Sequence, residues 1–254
     1  MEPVDNRNTK TILVLGGATE GYELARVLNH KQGVHVVSSL AGRTSKPRAP
    51  CGEVRSGGFG GSEGLALYLR ECSIAAVIDA THPFASVMGW NAARACAAVG
   101  VPLLRLERPA WRPQAGDLWT EVEGWDDAVT VLDSGAKRVL LAVGRKELEP
   151  FVGLDHIWFL IRSVDAPEPT KVFAQADVLL ARGPFTLEGE TKLLQNHRID
   201  TIVCKNSGGT ATDAKLSAAR NLGVRVVIKK RPQRPEVPVV ETVEQVQSWV
   251  DQVL

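Results

Sequence analysis

Six residues near the start of the chain have the spacing of a loop that binds phosphate. Gly16-Gly17-Ala18-Thr19-Glu20-Gly21 fits the pattern G-x-A-x-x-G, a variant of the dinucleotide fingerprint with alanine in place of the middle glycine. The loop follows the apolar run Ile12-Leu13-Val14-Leu15, typical of a buried parallel strand, and opens a helical pattern. Backbone N–H groups at such a helix start can bind phosphate. The alternative is a tight turn that needs glycine only for a positive φ.

The end of the second predicted strand favours NADP over NAD. An NAD site places Asp or Glu there against the ribose 2′-hydroxyl, whereas an NADP site lacks that carboxylate and supplies a cation. Here the segment reads Ser39-Leu40-Ala41-Gly42-Arg43. Ser39 can bond a 2′-phosphate, and Arg43 can pair with it through its planar guanidinium. We therefore predict that NADPH binds against Ser39, Leu40, Ala41, Gly42 and Arg43, with an ordinary loop cation at Arg43 as the alternative.

Three more loops whose residues could bind a ligand or take part in catalysis follow predicted strands: Ala80-Thr81-His82-Pro83-Phe84, Gly144-Arg145-Lys146 and Lys205-Asn206-Ser207-Gly208-Gly209. Because parallel strands end along one edge of a sheet, we expect these loops to converge on a ligand crevice. His82 could donate a proton or cap the next helix, and the third loop could form an anion-binding nest or a simple glycine turn. The further candidate cofactor contacts are Thr81, His82, Gly144, Arg145, Lys205, Asn206, Ser207 and Gly208.

Two other catalytic signatures are weak or absent. Gly60-Gly61-Ser62-Glu63-Gly64 matches the G-x-S-x-G nucleophile elbow, but Ser62 follows a long glycine run and is explained as an N-cap. The Y-x-x-x-K signature of short-chain dehydrogenases is absent, since Arg26 lies four residues after Tyr22 and Cys72 four after Tyr68. A hydrolase and a short-chain dehydrogenase are therefore disfavoured.

The elements that must position these loops alternate between strand and helix along the chain. Apolar runs and helical patterns alternate from residue 12 to about residue 106, and the alternation resumes after a polar stretch at residues 111–117. Such a stretch is typical of an interdomain connection. We predict an α/β protein with two Rossmann-like domains, mainly parallel sheets and a cleft between them. The predicted domains are residues 1–112, which bind NADP, and residues 113–254, which complete the substrate cleft.

The composition excludes several classes of protein. Of 254 residues, 44% are hydrophobic and 23% charged, and the net charge is +1, which argues against a general nucleic-acid or membrane-binding surface. Cys51, Cys72, Cys96 and Cys204 are scattered without ligand spacing, so neither a metal site nor disulfides are indicated. No apolar run is long enough for a signal or a membrane span. The expectation is a cytoplasmic protein.

With these residues in view, the chain from about residue 11 to 235 resembles the precorrin-6A reductase family of corrin-ring (vitamin B12) biosynthesis. The resemblance rests on an ordered combination of motifs, which is more specific than any one of them. In the first half these are residues 12–20, Ser39-Leu40-Ala41-Gly42-Arg43-Thr44, Gly57-Gly58-Phe59-Gly60-Gly61, Asp79-Ala80-Thr81-His82-Pro83-Phe84-Ala85 and Arg105-Leu106-Glu107-Arg108-Pro109-Ala110-Trp111; in the second half, Arg182-Gly183-Pro184-Phe185 and residues 205–209. Ala18 departs mildly from the threonine often expected there.

The resemblance implies hydride transfer from NADPH to a double bond of a tetrapyrrole, precorrin-6A, giving precorrin-6B. Lys205 and His82 are the candidate catalytic residues. The substrate carries many acetate and propionate groups, so Arg108, Arg145, Arg182 and Lys205 are the candidates to bind its carboxylates. A monomer in transient contact with the next pathway enzyme is expected. Two alternatives stay open, namely a reductase of cobalt-precorrin-6A in the anaerobic pathway and a non-catalytic NADP-sensing module.

Overall fold

The computed structural model describes residues 9–41, 49–167 and 172–254, which form two compact units. The first unit comprises Met1–Pro109 and Pro232–Leu254, and the second comprises Ala110–Arg231. Each unit is built around a six-stranded sheet in which every strand pair is parallel. The predicted α/β class with parallel sheets is thereby confirmed.

The elements of the first unit in chain order are β1 (Lys10–Leu15), α1 (Thr19–Leu28), β2 (Val34–Leu40), β3 (Glu53–Ser56), α2 (Gly61–Glu71), β4 (Ile74–Asp79), α3 (Ser86–Val99), β5 (Leu103–Leu106), β12 (Val239–Val240) and α7 (Val243–Val253). Its strand order is β12-β5-β4-β1-β2-β3, which is the Rossmann order. Alternate residues of β1 point to opposite faces of the sheet, so Ile12 and Val14 pack against α1 and α7 while Leu13 and Leu15 pack against α2 and α3.

The C-terminal segment belongs to the first unit and not to the second. Val239 and Val240 of β12 pair with Arg105 and Leu106 of β5, and α7 begins at a capping box formed by Thr242 and Gln245. Its buried face joins the same core as α1. The structure thus differs from the sequence-based division into residues 1–112 and 113–254. The physical reason is that the sixth strand of the first sheet comes from the end of the chain.

The elements of the second unit are β6 (Trp119–Val122), α4 (Trp125–Asp133), β7 (Arg138–Ala142), the 3-10 turns Arg145–Glu147 and Glu149–Phe151, β8 (Trp158–Ser163), β9 (Ala176–Leu180), α5 (Leu187–Asn196), β10 (Thr201–Lys205), α6 (Ala214–Leu222) and β11 (Arg225–Lys229). Its strand order is β6-β11-β10-β7-β8-β9. Helix α4 covers one face of this sheet, and α5 and α6 cover the other.

Cys96 gives the first unit a predictable response to alkaline pH. Burial on α3, and then the charge of Asp79, raise the pKa of its thiol from 9.0 to about 12. Between these two values the unfolded chain loses the thiol proton while the folded chain keeps it, so stability falls as pH rises. From pH 8 to pH 10 we expect the wild type to lose about 1.4 kcal/mol more unfolding free energy than Cys96→Ala. Urea unfolding at both pH values measures this, and equal losses in the two proteins would contradict it.

Candidate functional site

The glycine-rich loop lies where the strand order of the first sheet reverses. Strands β1 and β4 are neighbours there, and the loop after β1 leads into α1 at the carboxyl edge, where such sheets bind ligands. Gly17 has a φ of +119°, which favours glycine. A Cβ on Gly21 would lie 3.3 Å from Cα of Gly16, so this glycine lets α1 pack closely on the loop. Gly21 therefore has the packing role of the last glycine of the fingerprint, while Gly17, at a variable position of the pattern, gives the turn its positive φ.

The start of α1 can receive an anion. Its N-cap is Ala18, which has no side chain able to cap the helix, so the first N–H groups are left to other partners. Glu20 in the first turn accepts two hydrogen bonds from Nη1 of Arg108, at 3.0 and 2.8 Å. Arg108 follows β5 and is thereby placed beside the loop. The predicted substrate cation thus lies at the predicted nucleotide site, where it offsets the charge of Glu20.

The end of β2 presents Ser39 together with an arginine that the sequence-based prediction did not include. Ser39 is buried, and its Oγ accepts a hydrogen bond from Nη1 of Arg55 at 2.8 Å. Leu40 ends β2, and Ala41 follows it. Gly42 and Arg43, predicted to bind the 2′-phosphate, lie outside the described residues. The signal that could have indicated Arg55 is its place at the end of the third strand, two residues before a glycine run.

The loop after β4 is fixed from both ends. Oδ1 of Asp79 accepts hydrogen bonds from the backbone N–H of Thr81 at 3.1 Å and from its hydroxyl at 2.6 Å. The backbone N–H of Phe84 donates to Nδ1 of His82 at 3.2 Å. Nδ1 is therefore an acceptor, which places the proton of the neutral ring on Nε2. This geometry suits a histidine that orients a ligand through one hydrogen bond.

Arg234, a second arginine that the sequence-based prediction did not include, lies in the C-terminal segment and holds the loop after β4 by hydrogen bonds. Nη2 of Arg234 donates to Oδ2 of Asp79 at 2.5 Å, and Nη1 donates to the carbonyls of His82 and Pro83 at 3.3 and 3.2 Å. Nε of Arg105 lies 3.8 Å from the same Oδ2. Burial, and then the charge of Arg234, lower the pKa of Arg105. Asp79 thus places one negative charge between two neighbouring cations beneath the loop that carries Thr81 and His82.

The second sheet has its own reversal point, between β7 and β10. Lys205 ends β10, and its Nζ forms an ion pair with Oε1 of Glu147, which lies in the 3-10 turn after β7. The other carboxylate oxygen of Glu147 accepts a hydrogen bond from Nε1 of Trp125 at 2.6 Å. The ammonium group of Lys205 is therefore held in a fixed position at the carboxyl edge of this sheet. Glu147 was not among the predicted site residues.

The loop at residues 205–209 is shaped by contacts within the second unit. The side-chain amide of Asn206 accepts from the backbone N–H of Trp111 at 2.8 Å and donates to its carbonyl at 3.0 Å. Arg231 donates to the carbonyls of Asn206 and Ser207. Gly208 and Gly209 have φ values of +68° and +72°. The amide of Asn206 therefore fixes the loop to the backbone of Trp111. The left-handed glycines give the backbone the curvature of an anion nest.

The remaining predicted residues fall along the same edge of the second sheet. Gly144 lies two residues after the end of β7, and Arg145 starts the 3-10 turn that also contains Glu147. Arg182 follows β9 at the sheet margin and is exposed. The structure therefore separates the predicted site residues into two groups. One lies on the first sheet, around residues 16–21, 39–41, 81–84 and 108, and the other lies on the second sheet, around residues 144–145, 182 and 205–208.

Ser62 is not the N-cap of α2, the role that the sequence predicted for it. The N-cap of α2 is Gly60, which has a left-handed φ, so Ser62 lies in the first turn of the helix.

Within residues 9–41, 49–167 and 172–254, no group of His, Cys, Asp or Glu side chains is arranged to hold a metal ion. Across those same ranges, every helix is too short or too polar to cross a bilayer.

The first unit fits a dinucleotide. The loop after β1 offers helix-start N–H groups and an open face at Gly17, where a Cβ would meet nothing within 4 Å. The loop after β2 offers Ser39 and Arg55, and the loop after β4 offers Thr81 and His82. In Rossmann folds the first of these loops contacts the pyrophosphate, the second contacts a ribose, and the dinucleotide lies across the crevice between the first and fourth strands. The chemistry of the donors therefore suits a phosphorylated nucleotide.

Comparison with known proteins gives a consistent result. The family model described as precorrin-6x reductase CbiJ/CobK matches residues 11–251. A precorrin-6A reductase of Rhodococcus erythropolis is 46% identical over 242 residues, which cover 94% of this chain and 96% of that protein. A cobalt-precorrin-6A reductase of Priestia megaterium is 28% identical, covering 92% and 96%. The solved structure of CobK precorrin-6A reductase matches with a TM-score of 0.91 at 44% identity, covering 96% of this chain and 97% of that one. The chain therefore belongs to the precorrin-6x reductase CbiJ/CobK family.

Proposed function

We propose that this protein reduces precorrin-6A with NADPH, the reaction that the resemblance implied. The observation that carries the proposal is the match along nearly the whole chain to precorrin-6A reductases, at 46% identity for the protein of Rhodococcus erythropolis and 45% for that of Rhodobacter capsulatus. Cobalt-precorrin-6A reductases are more distant, at 27 to 28% identity. The metal-free substrate of the aerobic pathway is therefore favoured over the cobalt-containing one.

The choice of NADPH as the cofactor rests on the end of β2. The described residues there, Ser39, Leu40 and Ala41, include no carboxylate that would bind a ribose 2′-hydroxyl or repel a 2′-phosphate. Arg55 places a guanidinium on Ser39. Arg43 stays a predicted second cation for the same phosphate. Both features favour NADPH over NADH.

The nicotinamide of the cofactor would supply the hydride, and the residues of this chain would align the substrate and deliver a proton. Nε2 of His82 can donate a hydrogen bond at the reversal point of the first sheet, while Lys205 has an ammonium proton at that of the second. Arg145 and Arg182 are proposed to bind substrate carboxylates, and carboxylate binding is the alternative role of Lys205. Arg108 is proposed for the same role, next to Glu20. The product, precorrin-6B, gains one hydride and one proton across the former double bond.

An absorbance assay of NADPH oxidation tests the cofactor, the substrate and the reaction together. We expect turnover with metal-free precorrin-6A and NADPH, and slower turnover with NADH or with cobalt-precorrin-6A. Faster turnover of the cobalt-loaded substrate would instead assign the anaerobic reaction. A protein that binds NADPH but never oxidises it with either substrate would be an NADP-sensing module. We expect a monomer that passes its product to the next enzyme by transient contact.

A further inference from the structure

Arg55 is held in one orientation at the carboxyl edge of the first sheet. It lies opposite Ser39 in the register of β2 and β3, and its Nη1 donates to Oγ of Ser39 at 2.8 Å. Nη1 also donates to the carbonyl of Gly57 at 3.2 Å, and Nη2 donates to that of Gly58 at 3.1 Å. The carbon of the guanidinium lies 3.7 Å from the centroid of the Phe59 ring. The Arg55 side chain is therefore already ordered before any ligand binds, so binding costs little of its conformational entropy.

Two hydrogen-bond donors of Arg55 are left over. A guanidinium has five N–H groups, and the contacts to Ser39, Gly57 and Gly58 use three of them. Within the part of the chain that the structure covers, neither Nε–H nor the second Nη2–H has a partner. A half-buried cation with two unused donors suits a dianionic phosphate, which can accept both in a bidentate contact.

Among the described residues, no neighbouring atoms crowd the glycine run next to Arg55. A Cβ placed on Gly57, Gly58, Gly60 or Gly61 would meet nothing within 4 Å, and three of these glycines have a positive φ. The acidic residue of β3, Glu53, lies at the other end of the strand, where it bonds to Nε2 of His35 at 3.1 Å. A phosphate beside Arg55 would therefore meet a glycine surface with room for it and no carboxylate from β3.

We propose that Arg55 determines the preference for NADPH by binding the ribose 2′-phosphate together with Ser39. The proposal rests on the proposed function, which supplies the cofactor. In a sheet of this order the 2′ position of the adenine ribose lies at the end of the second strand, where Ser39 is. The Oγ of Ser39 accepts from Arg55, so its own hydrogen is free to donate to a phosphate oxygen. Arg55 and Ser39 thus form a pair that can make a charge-assisted contact to a 2′-phosphate, whereas a neutral 2′-hydroxyl gains no ion pair from it.

Nucleotide binding tests this assignment without any turnover. Calorimetry would measure the Kd values of NADP⁺, NAD⁺, 2′,5′-ADP and 5′-AMP for the wild type, Arg55→Met and Arg55→Lys. We expect Arg55→Met to bind NADP⁺ and 2′,5′-ADP about 10- to 100-fold more weakly, the range for a lost charge-assisted contact. Its affinity for NAD⁺ and 5′-AMP should not change. Arg55→Lys should recover part of the loss, because lysine keeps the charge but not the fork.

Arg138→Met is the matched control, since Arg138 also stacks on an aromatic ring, 3.8 Å from the centroid of Trp158, and donates to the carbonyl of His197 at 2.6 Å. It starts β7 of the second unit and should leave all four Kd values unchanged. Equal losses for NADP⁺ and NAD⁺ in Arg55→Met would overturn the proposal and leave Arg55 as a support for the glycine run. A wild type that prefers NADP⁺ together with an Arg55→Met that keeps this preference would overturn the assignment of Arg55 alone. A wild type with no preference would overturn the NADPH assignment as well.

Discussion

Asp79→Asn is expected to lower the unfolding free energy of the first unit by about 3 to 5 kcal/mol, the range for breaking a buried ion pair. Asp79 is only 2% exposed, and its Oδ2 lies 2.5 Å from Nη2 of Arg234 and 3.8 Å from Nε of Arg105. Both arginine side chains are 7% exposed. Without the carboxylate charge, the two buried cations would lose the ion-pair partner that they share and would repel each other, as the effect of Arg234 on the pKa of Arg105 indicates.

The same substitution should weaken nucleotide binding, because an amide has a single acceptor oxygen and cannot accept from both Thr81 and Arg234, which together hold the loop after β4. Urea unfolding measures the stability, and calorimetry with NADP⁺ measures the affinity. Asp251→Asn is the control in the same unit: its ion pair with Lys31 is solvent-exposed, so it should cost less than about 1 kcal/mol. In the double variant Asp79→Asn, Arg234→Met, part of the lost stability should return, since one of the repelling cations is gone. A loss below about 1 kcal/mol for Asp79→Asn would contradict the charge argument.

The strands of both sheets could largely be predicted from the sequence because most are continuous apolar runs. β1, β4, β7 and β10 are buried on both faces and carry the signal that parallel strands require. β6 was missed because it lies at a sheet edge, with only one of its four residues buried. β12 was missed because two residues are too few to show a period.

The predicted loops were found at strand ends, but the contacts that shape them could not be predicted. The motif after β1 is recognisable because its partners are neighbours in sequence. Arg234 and Asp79 are 155 residues apart, and Lys205 and Glu147 are 58 apart. No local pattern links residues at such separations, so these pairs require knowledge of the strand order. Arg55 is closer to Ser39, but only the register of β2 and β3 brings the two side chains together.

Lys205→Met is expected to lower kcat by about 10²- to 10⁴-fold, the usual contribution of a positioned general acid. Reduction of a double bond needs a proton besides the hydride, and Lys205 has one at the reversal point of the second sheet. His82 can donate a hydrogen bond through Nε2, but it is less suited to give up a proton, because its Nδ1 accepts the N–H of Phe84 and cannot also hold the second proton of an imidazolium. Glu147 fixes the ammonium group and is itself fixed by Trp125, so Glu147→Gln should lower kcat as well, but by less.

The alternative role for Lys205 is to bind a substrate carboxylate, and the two roles separate in kinetics. Lys205→Arg keeps the positive charge, yet arginine cannot give up its proton in a protein. If Lys205 donates the proton, Lys205→Arg should stay as slow as Lys205→Met while KM for precorrin-6A and the Kd of NADP⁺ stay near the wild-type values. If Lys205 only binds a carboxylate, Lys205→Met should raise KM with little change in kcat, and arginine should restore it. Lys192→Met, which removes an exposed lysine paired with Glu188 on α5, should leave both constants unchanged and shows the effect of losing a surface charge.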